Sequence, residues 1–490
     1  MSEMIKNYIN GKWKESHSAH SLDVHDPATG QCIAKVPSGS SEDITEAAEA
    51  AHKAWSEWRN KPATQRIQYL FKMKQILEAH ADEIAKTCTT ECGKTLSESK
   101  GEIVRAVENI EVACGIPKLL QSEFSEDIAT GLDEFYIRQS LGVGACIAPF
   151  NFPVMIPFWF MPYAIACGNT YIIKPSEKVP MTMALIFKLF EEVGLPEGVL
   201  NMVHGGKESV DAILENRSIS AISFVGSTPV AKHIYQTGVA NGKRVQAQGG
   251  AKNPVVIMPD ADVETTVRII TDSAFGCAGQ RCLAASIVLI VGNSDEKFTQ
   301  KIVNAARERK TGCGLTPGTD IGPVISSESK ERIEKLIQKG VADGAKLLLD
   351  GRKISIPGYE KGYFIGPTIF SHVDTKSEIY KKEIFGPVVC IVNVSSLDDA
   401  IELINTGTYG NSACIFTRSG AAARKFRHDA MVGNVGVNIG IAAPMAFFPF
   451  SGWKESFFGD LHGQSLHAVE FYTQTKVVIE RWHDEWTRKF

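Results

Sequence analysis

The stretch FGCAGQRCLAAS, Phe275 to Ser286, sets Cys282 directly behind Arg281 among small residues. A thiol there could add to a carbonyl carbon and carry an acyl group as a thioester, provided something stabilises the oxyanion that forms. The competing reading is a thiol that only fills space. Three other stretches hold groups such chemistry needs. In APFNFPVMIP, Asn151 stands between aromatic and proline residues that pin it, and a fixed side-chain amide can donate to a developing oxyanion. In IIKPSEKVP, Lys174 and Glu177 follow an apolar strand at the end where open α/β sheets bind ligands, and an amine with a carboxylate can hold ribose hydroxyls. In SFVGSTPVAKHI, an apolar strand runs into Gly226, a Ser227/Thr228 pair suited to capping, and Pro229 at the first helical position. The open amides and partial positive charge of such a helix start favour a pyrophosphate. GVGACI lacks the last glycine of the ordinary dinucleotide fingerprint.

The elements that must position these groups follow a clear order. NYINGKW predicts a tight hairpin through its Asn-Gly pair, and the segments from Ser41 to about Leu120 carry apolar residues three and four apart, the period of helices. From Leu141 short apolar runs (GVGACIAPF, TYIIKPSE, VLNMVHG, ISAISFVGS, RVQAQGG) alternate with helical segments, which predicts a parallel sheet covered on both faces. A second such region runs from NPVVIMPDAD to about Asn438. SEDIATGLDEFYIRQS and AVEFYTQTKVVIERW alternate like exposed strands with open edges, and an oligomer would cover them.

A chain of 490 residues is long enough for two or three packed domains. Its net charge of -4 gives no reason to expect nucleic acid or an anionic membrane as partner. The 11 cysteines show neither a disulfide framework nor paired CxxC units, so the chain reads as reduced, cytoplasmic and without a metal site. Cys88, Cys92 and Cys277 read as packing residues. VMIPFWFMPYAIACG is too short for a membrane span and is broken by Pro157 and Pro162, and the N-terminus has no signal-peptide pattern.

The strings FNFP, KPSE, FVGST, GQRC and EIFGPV occur in this order, and together they resemble the NAD(P)-dependent aldehyde dehydrogenase superfamily from NYINGKW to FYTQTKVV. That resemblance implies an α/β fold with a Rossmann-like NAD-binding domain (1–119 and 142–249), a second α/β catalytic domain (250–450) and a small β oligomerisation element (120–141 and 467–490). It implies Cys282 as nucleophile, with Asn151 and the Cys282 amide as oxyanion hole. Phe150, Lys174, Glu177, Lys178, Gly226, Ser227, Glu383 and Phe385 would contact NAD: Lys174, Glu177 and Glu383 at its riboses, Gly226 and Ser227 at the pyrophosphate and nicotinamide side, and Phe385 at the nicotinamide end. Ala231 replaces a glycine often found in the first turn after FVGST.

Hydrolytic members of the superfamily carry a glutamate in an ELGG motif that activates water against the thioester. The matching stretch here is VQAQGGAKN, which puts Ala247 at the glutamate's place and Gln248 at the leucine's. Without that base hydrolysis should be slow, since a positioned general base contributes about 10²- to 10⁴-fold. GGAKNPVVIMPDAD, GQRC and FSGWKESFFGDLHG are similar to the acylating methylmalonate-semialdehyde (malonate-semialdehyde) dehydrogenases, which hand the acyl group to coenzyme A. The similarity implies coenzyme A as co-substrate, a semialdehyde whose carboxylate is held by Arg105 and Arg281, release of carbon dioxide, and a homotetramer built as a dimer of dimers. A guanidinium suits a carboxylate through its planar fork of donors, whereas Arg105 could instead pair with Glu102 or Glu108 along its helix. Arg281 is also expected to lower the Cys282 pKa. The alternatives are a hydrolytic aldehyde dehydrogenase with another base, and a cysteine hydrolase or acyltransferase, for which no motif locates a histidine base.

Overall fold

The computed structural model describes residues 4–292 and 295–482. The last part of the expected oligomerisation segment, 483–490, lies outside the described residues. The hairpin forms as its Asn-Gly pair dictates: Asn10 and Gly11 both take positive φ (53° and 75°), joining Asn7–Ile9 to Lys12–Lys14. The first long helix runs over Ser41–Trp58. Ser40 is the cap, in a reciprocal box with Asp43. A helical layer then runs to Ala113 and packs on the first sheet through a large apolar cluster.

The first sheet has a parallel centre, ordered in space Leu200–Met202, Thr170–Lys174, Val143–Ile147, Ile219–Val225, Arg244–Gln248, with the N-terminal hairpin and Phe457–Phe458 antiparallel on its edges. Numbered along the chain the central strands run 3-2-1-4-5, so the winding reverses between Val143–Ile147 and Ile219–Val225. A crevice opens beyond the carboxyl ends of strands at such a reversal. The second sheet orders Thr368–Ser371, Val388–Val394, Ala285–Val291, Asn253–Ile257, Ser412–Phe416 and Asn434–Val437 in parallel, with Lys346–Leu349 antiparallel at one edge. Each large sheet has an apolar cluster on either face, as strands covered on both sides require.

The two segments that fit neither sheet pair with each other. Thr473–Glu480 runs antiparallel to Leu132–Ser140 over eight residue pairs, and Phe124–Ala129 completes a three-stranded sheet. Its outer strands leave Phe124, Ile128, Val477 and Ile479 exposed. Among the described residues no helix is long and apolar enough to cross a membrane.

Candidate active site

Cys282 lies between the two large sheets, on a turn the local sequence forces tight. Cys277, Ala278 and Gly279 all take positive φ (50°, 53° and 70°). A side chain at Gly279 would stand 2.1 Å from the carbonyl oxygen of Gly386, so this position needs glycine. Two left-handed non-glycine residues in succession are costly and persist only where surrounding bonds fix them. Glu98 provides such bonds: Oε1 accepts from the Cys277 N–H at 2.6 Å, while Oε2 accepts from the Thr95 N–H and completes the capping box of the helix Leu96–Ala113. Beyond the turn, the Cys282 carbonyl accepts from Nδ2 of both Asn253 and Asn411, each at 2.8 Å.

Asn151 follows the central strand of the first sheet and reaches the same turn. Its Nδ2 donates to the Gln280 carbonyl at 2.9 Å, which uses one of its two amide hydrogens. Gln280 is held in turn by the Ile325 N–H on its Oε1. The structure therefore brings Asn151 and Cys282 together through backbone neighbours, from positions 131 residues apart in the chain.

The thiol is not activated by its surroundings. Burial pushes Cys282 up to about 12, Glu383 adds to the rise, and the N–H groups of Cys282 and Leu283 and the Arg281 charge offset only part of it. The expected lowering by Arg281 is thus corrected, because loss of water outweighs it. The Arg281 guanidinium is engaged elsewhere: Nη2 donates to Glu98 Oε1 at 2.8 Å and Nε to the Cys277 sulfur at 3.2 Å. Arg105 pairs with Glu108 at 2.7 Å and donates to the Pro444 carbonyl. Glu98 and Arg105, seven residues apart, share a helix face, so both guanidiniums stand along one side of Leu96–Ala113.

The strand Arg244–Gln248 settles which of its residues faces Cys282. Ala247 is fully buried in the apolar cluster that holds Ile222, Phe224, Ile234 and Val245. Gln248 points to the opposite face, where its Nε2 donates to Asn411 Oδ1 at 3.2 Å, and Asn411 holds the Cys282 carbonyl. The residue on the Cys282 side is therefore Gln248, not Ala247. Neither is a carboxylate.

Of the remaining candidates, Lys174 ends its strand and Gly226 follows Ile219–Val225, while Glu383 and Phe385 precede the strand Val388–Val394 of the second sheet. Lys174 is buried, with Nζ on the carbonyls of Pro175 (2.9 Å) and Gly205 (2.6 Å) and 3.6 Å from Glu177. Lys178 donates to Ser326 Oγ at 3.4 Å. Gly226 donates to the Gln248 carbonyl, and Ser227 caps the helix Thr228–Ala240 without spending its hydroxyl on a capping bond. Phe150 and Phe385 meet edge to face with ring centres 5.8 Å apart. Glu383 Oε1 accepts from the Ala251 N–H at 2.9 Å, and burial raises its pKa to about 7 against the pull of that bond, Lys252 and Arg332. Open amides at a helix start, an unspent hydroxyl, the Glu177 carboxylate beyond a strand end and the Glu383 carboxylate fit a dinucleotide. The sequence reading missed Glu98, Gln280, Asn253 and Asn411; only Glu98 carried a signal, the Thr95-x-x-Glu98 capping box.

The model of the aldehyde dehydrogenase family matches residues 13–478. A malonate-semialdehyde dehydrogenase of Geobacillus kaustophilus is 49% identical over 480 residues, covering 98% of this chain and 99% of its own. A mitochondrial methylmalonate-semialdehyde dehydrogenase of Arabidopsis thaliana, named as acylating, is 47% identical and covers 99% of this chain and 80% of its own. Among solved structures, a candidate methylmalonate-semialdehyde dehydrogenase of Sinorhizobium meliloti in complex with NAD superposes with a TM-score of 0.97 at 41% identity, covering 99% of both chains.

Proposed function

Because the chain belongs to the aldehyde dehydrogenase family, we propose that it catalyses the NAD-dependent, CoA-acylating oxidation of malonate or methylmalonate semialdehyde to acetyl-CoA or propanoyl-CoA. The observation that carries the acylating reading is the residue facing Cys282 from the first sheet. It is the carboxamide Gln248, which has no basic lone pair with which to take a proton from water.

The chain's own groups then divide the work. Cys282 adds to the aldehyde carbon, and the oxyanion receives the free Asn151 amide hydrogen and the Cys282 N–H. NAD, when bound, would supply the hydride acceptor. Collapse of the oxyanion leaves a thioester on Cys282, which the thiol of coenzyme A displaces. The substrate carboxylate leaves as carbon dioxide, and for malonate semialdehyde the sum is aldehyde, NAD⁺ and coenzyme A to acetyl-CoA, carbon dioxide and NADH, with no net proton. Lys174, Glu177, Lys178, Gly226, Ser227, Glu383, Phe150 and Phe385 hold the dinucleotide, and Glu177 beside Lys174 favours a ribose hydroxyl over a 2′-phosphate. Arg281 and Arg105 receive the substrate carboxylate by exchanging it for Glu98 and Glu108.

The first large sheet then serves cofactor binding and the second catalysis, while the three-stranded sheet serves assembly into a homotetramer. Its exposed apolar edge strands support that role. The buried cysteines Cys88, Cys146, Cys277 and Cys390 are free thiols, which suits a cytoplasmic setting. The test is NADH formation from malonate semialdehyde with and without coenzyme A, with mass analysis of the product. Dependence on coenzyme A and an acetyl-CoA product are expected; equal turnover to free acid without it refutes the acylating reading.

A further inference from the structure

Lys94 stands in the turn between the helices Ala81–Cys92 and Leu96–Ala113, after Gly93 ends the first in a left-handed conformation (φ 88°). Its side chain and that of Glu102, at the end of the second turn of the following helix, are 2% and 0% exposed and form a direct ion pair. Such a pair is poor evidence for added stability, because taking two charges out of water costs about as much as their attraction returns. Apart from a long contact with the Cys88 thiol, its remaining contacts go to one segment, residues 151–155. Lys94 Nζ donates to the Asn151 carbonyl at 2.9 Å and lies 4.5 Å from the centre of the Phe152 ring. Glu102 Oε1 accepts from the N–H groups of Val154 at 2.7 Å and Met155 at 2.9 Å. Its other oxygen takes Lys94 and, at 3.6 Å, the Cys88 thiol. Four of the five residues from Asn151 to Met155 are thus held by one ion pair.

The two charges grip opposite polarities of the same loop: the cation takes a carbonyl at its start, the anion two N–H groups at its end. The Asn151 side chain itself is anchored on the Gln280 carbonyl. Without the pair the loop would keep that bond, its local turn bonds and two long ones from the Cys92 thiol, to the carbonyls of Phe150 at 3.5 Å and Asn151 at 3.9 Å, and could pivot about them, carrying the second amide hydrogen away from Cys282.

We propose that Lys94 and Glu102 are positioning residues for the chemical step, fixing the Asn151 backbone so that its free amide hydrogen meets the oxyanion formed on Cys282. This rests on the reading of Asn151 as an oxyanion donor. A group that touches the transition state and the groups that aim it act as a unit, and their losses do not add.

The experiment compares the full-length wild type with Lys94→Met, Asn151→Ala and the double variant. It measures the first-turnover rate of NADH formation at saturating semialdehyde, together with the Kd for NAD and the Cys282 alkylation rate. Asn151→Ala is expected to slow the first turnover by about 10²- to 10³-fold. Lys94→Met should slow it at least ~10-fold, with NAD affinity and alkylation within about twofold of wild type, and the double variant should be no slower than Asn151→Ala. A double variant slowed by the product of the two losses, or a Lys94→Met enzyme at the wild-type rate, overturns the positioning role while leaving Asn151 as donor. A wild-type rate in Asn151→Ala overturns the donor reading and the positioning role with it. If Lys94→Met does not bind NAD, Glu102→Gln, which keeps an acceptor for Val154 and Met155, is judged by the same comparison with Asn151→Ala.

Discussion

Replacing Gln248 by glutamate should give this protein a hydrolytic activity, and the same change at Ala247 should destroy its fold. Asn411 spends Nδ2 on the Cys282 carbonyl and so presents Oδ1 to position 248. A carboxylate there loses the 3.2 Å bond from Nε2 and faces an oxygen, at a cost of about 1–3 kcal/mol to its ionised form. That cost corresponds to a rise of roughly one to two pH units above the ordinary glutamate value, so the group is ionised by about pH 8. As a general base beside the thioester it should then raise release of free acid without coenzyme A by about 10²-fold or more. At position 247 the carboxylate would sit among Ile222, Phe224 and Ile234 with no partner. Burying it costs several kcal/mol, a large part of the roughly 5–15 kcal/mol that holds a domain together. The assay is NADH formation without coenzyme A from pH 6 to 9, with product mass and a thermal melt for each variant. A folded Gln248→Glu enzyme with no such turnover at pH 9, or a folded and hydrolytic Ala247→Glu enzyme, refutes the assignment of the strand's faces.

Glu383, held near 7 chiefly by burial, should make the KM for NAD fall as pH rises through about 7, and Glu383→Gln should flatten that profile. The same group binds its proton more tightly folded than unfolded, so its contribution to stability is present below 4.5 and lost as pH rises through about 7. Thermal melts should show Glu383→Gln gaining on wild type across that window by up to about 3 kcal/mol; a constant difference refutes the raised value. In the free enzyme the Cys282 peptide should be alkylated by iodoacetamide at pH 8 about a thousandfold more slowly than an ordinary thiol, with the rate still climbing at pH 10, since its pKa stands at about 12. Peptide mass spectrometry reads this directly, and a plateau below pH 9 contradicts it.

The fold was legible where local spacing decides it. Asn10-Gly11 made the hairpin, and the alternation of apolar runs with helical segments made the two parallel sheets. Cys282 and Asn151 were singled out by their place in GQRC and FNFP, and the structure brings them together around the Gln280 carbonyl. What failed was direction. A strand turns each successive side chain to the opposite face, so a one-residue difference in matching VQAQGG exchanges a core alanine for a residue in the site. Arg281 was expected to serve the thiol or the substrate, and its partner in the structure is Glu98, 183 residues away along the chain. No spacing rule reaches that far. The two unpaired strand segments found each other across more than 330 residues, which alternation could not foretell although it exposed their open edges.

The helix Leu96–Ala113 shows what pattern reading discards. Glu98, Glu102 and Arg105 are spaced four and three apart, a stripe that reads as a solvated face with internal salt bridges. Of those expected pairs only Arg105 with Glu108 forms. Glu98 goes to Cys277 and Arg281, ahead of Cys282; Glu102 goes with Lys94 to the loop of Asn151; Arg105 goes to the carbonyl of Pro444. One polar stripe therefore holds three separate loops, two of which carry Cys282 and Asn151, the groups proposed to meet the substrate carbonyl. Charged side chains at helical spacing mark a scaffold rather than a surface when they are buried, and burial is the one property that a pattern of residue types does not contain. The distinction has a consequence for substitution: exchanging surface pairs changes stability by about 0.5 kcal/mol or less, whereas each exchange along this stripe frees a loop and should be read in the rate of the first turnover before it is read in a melt.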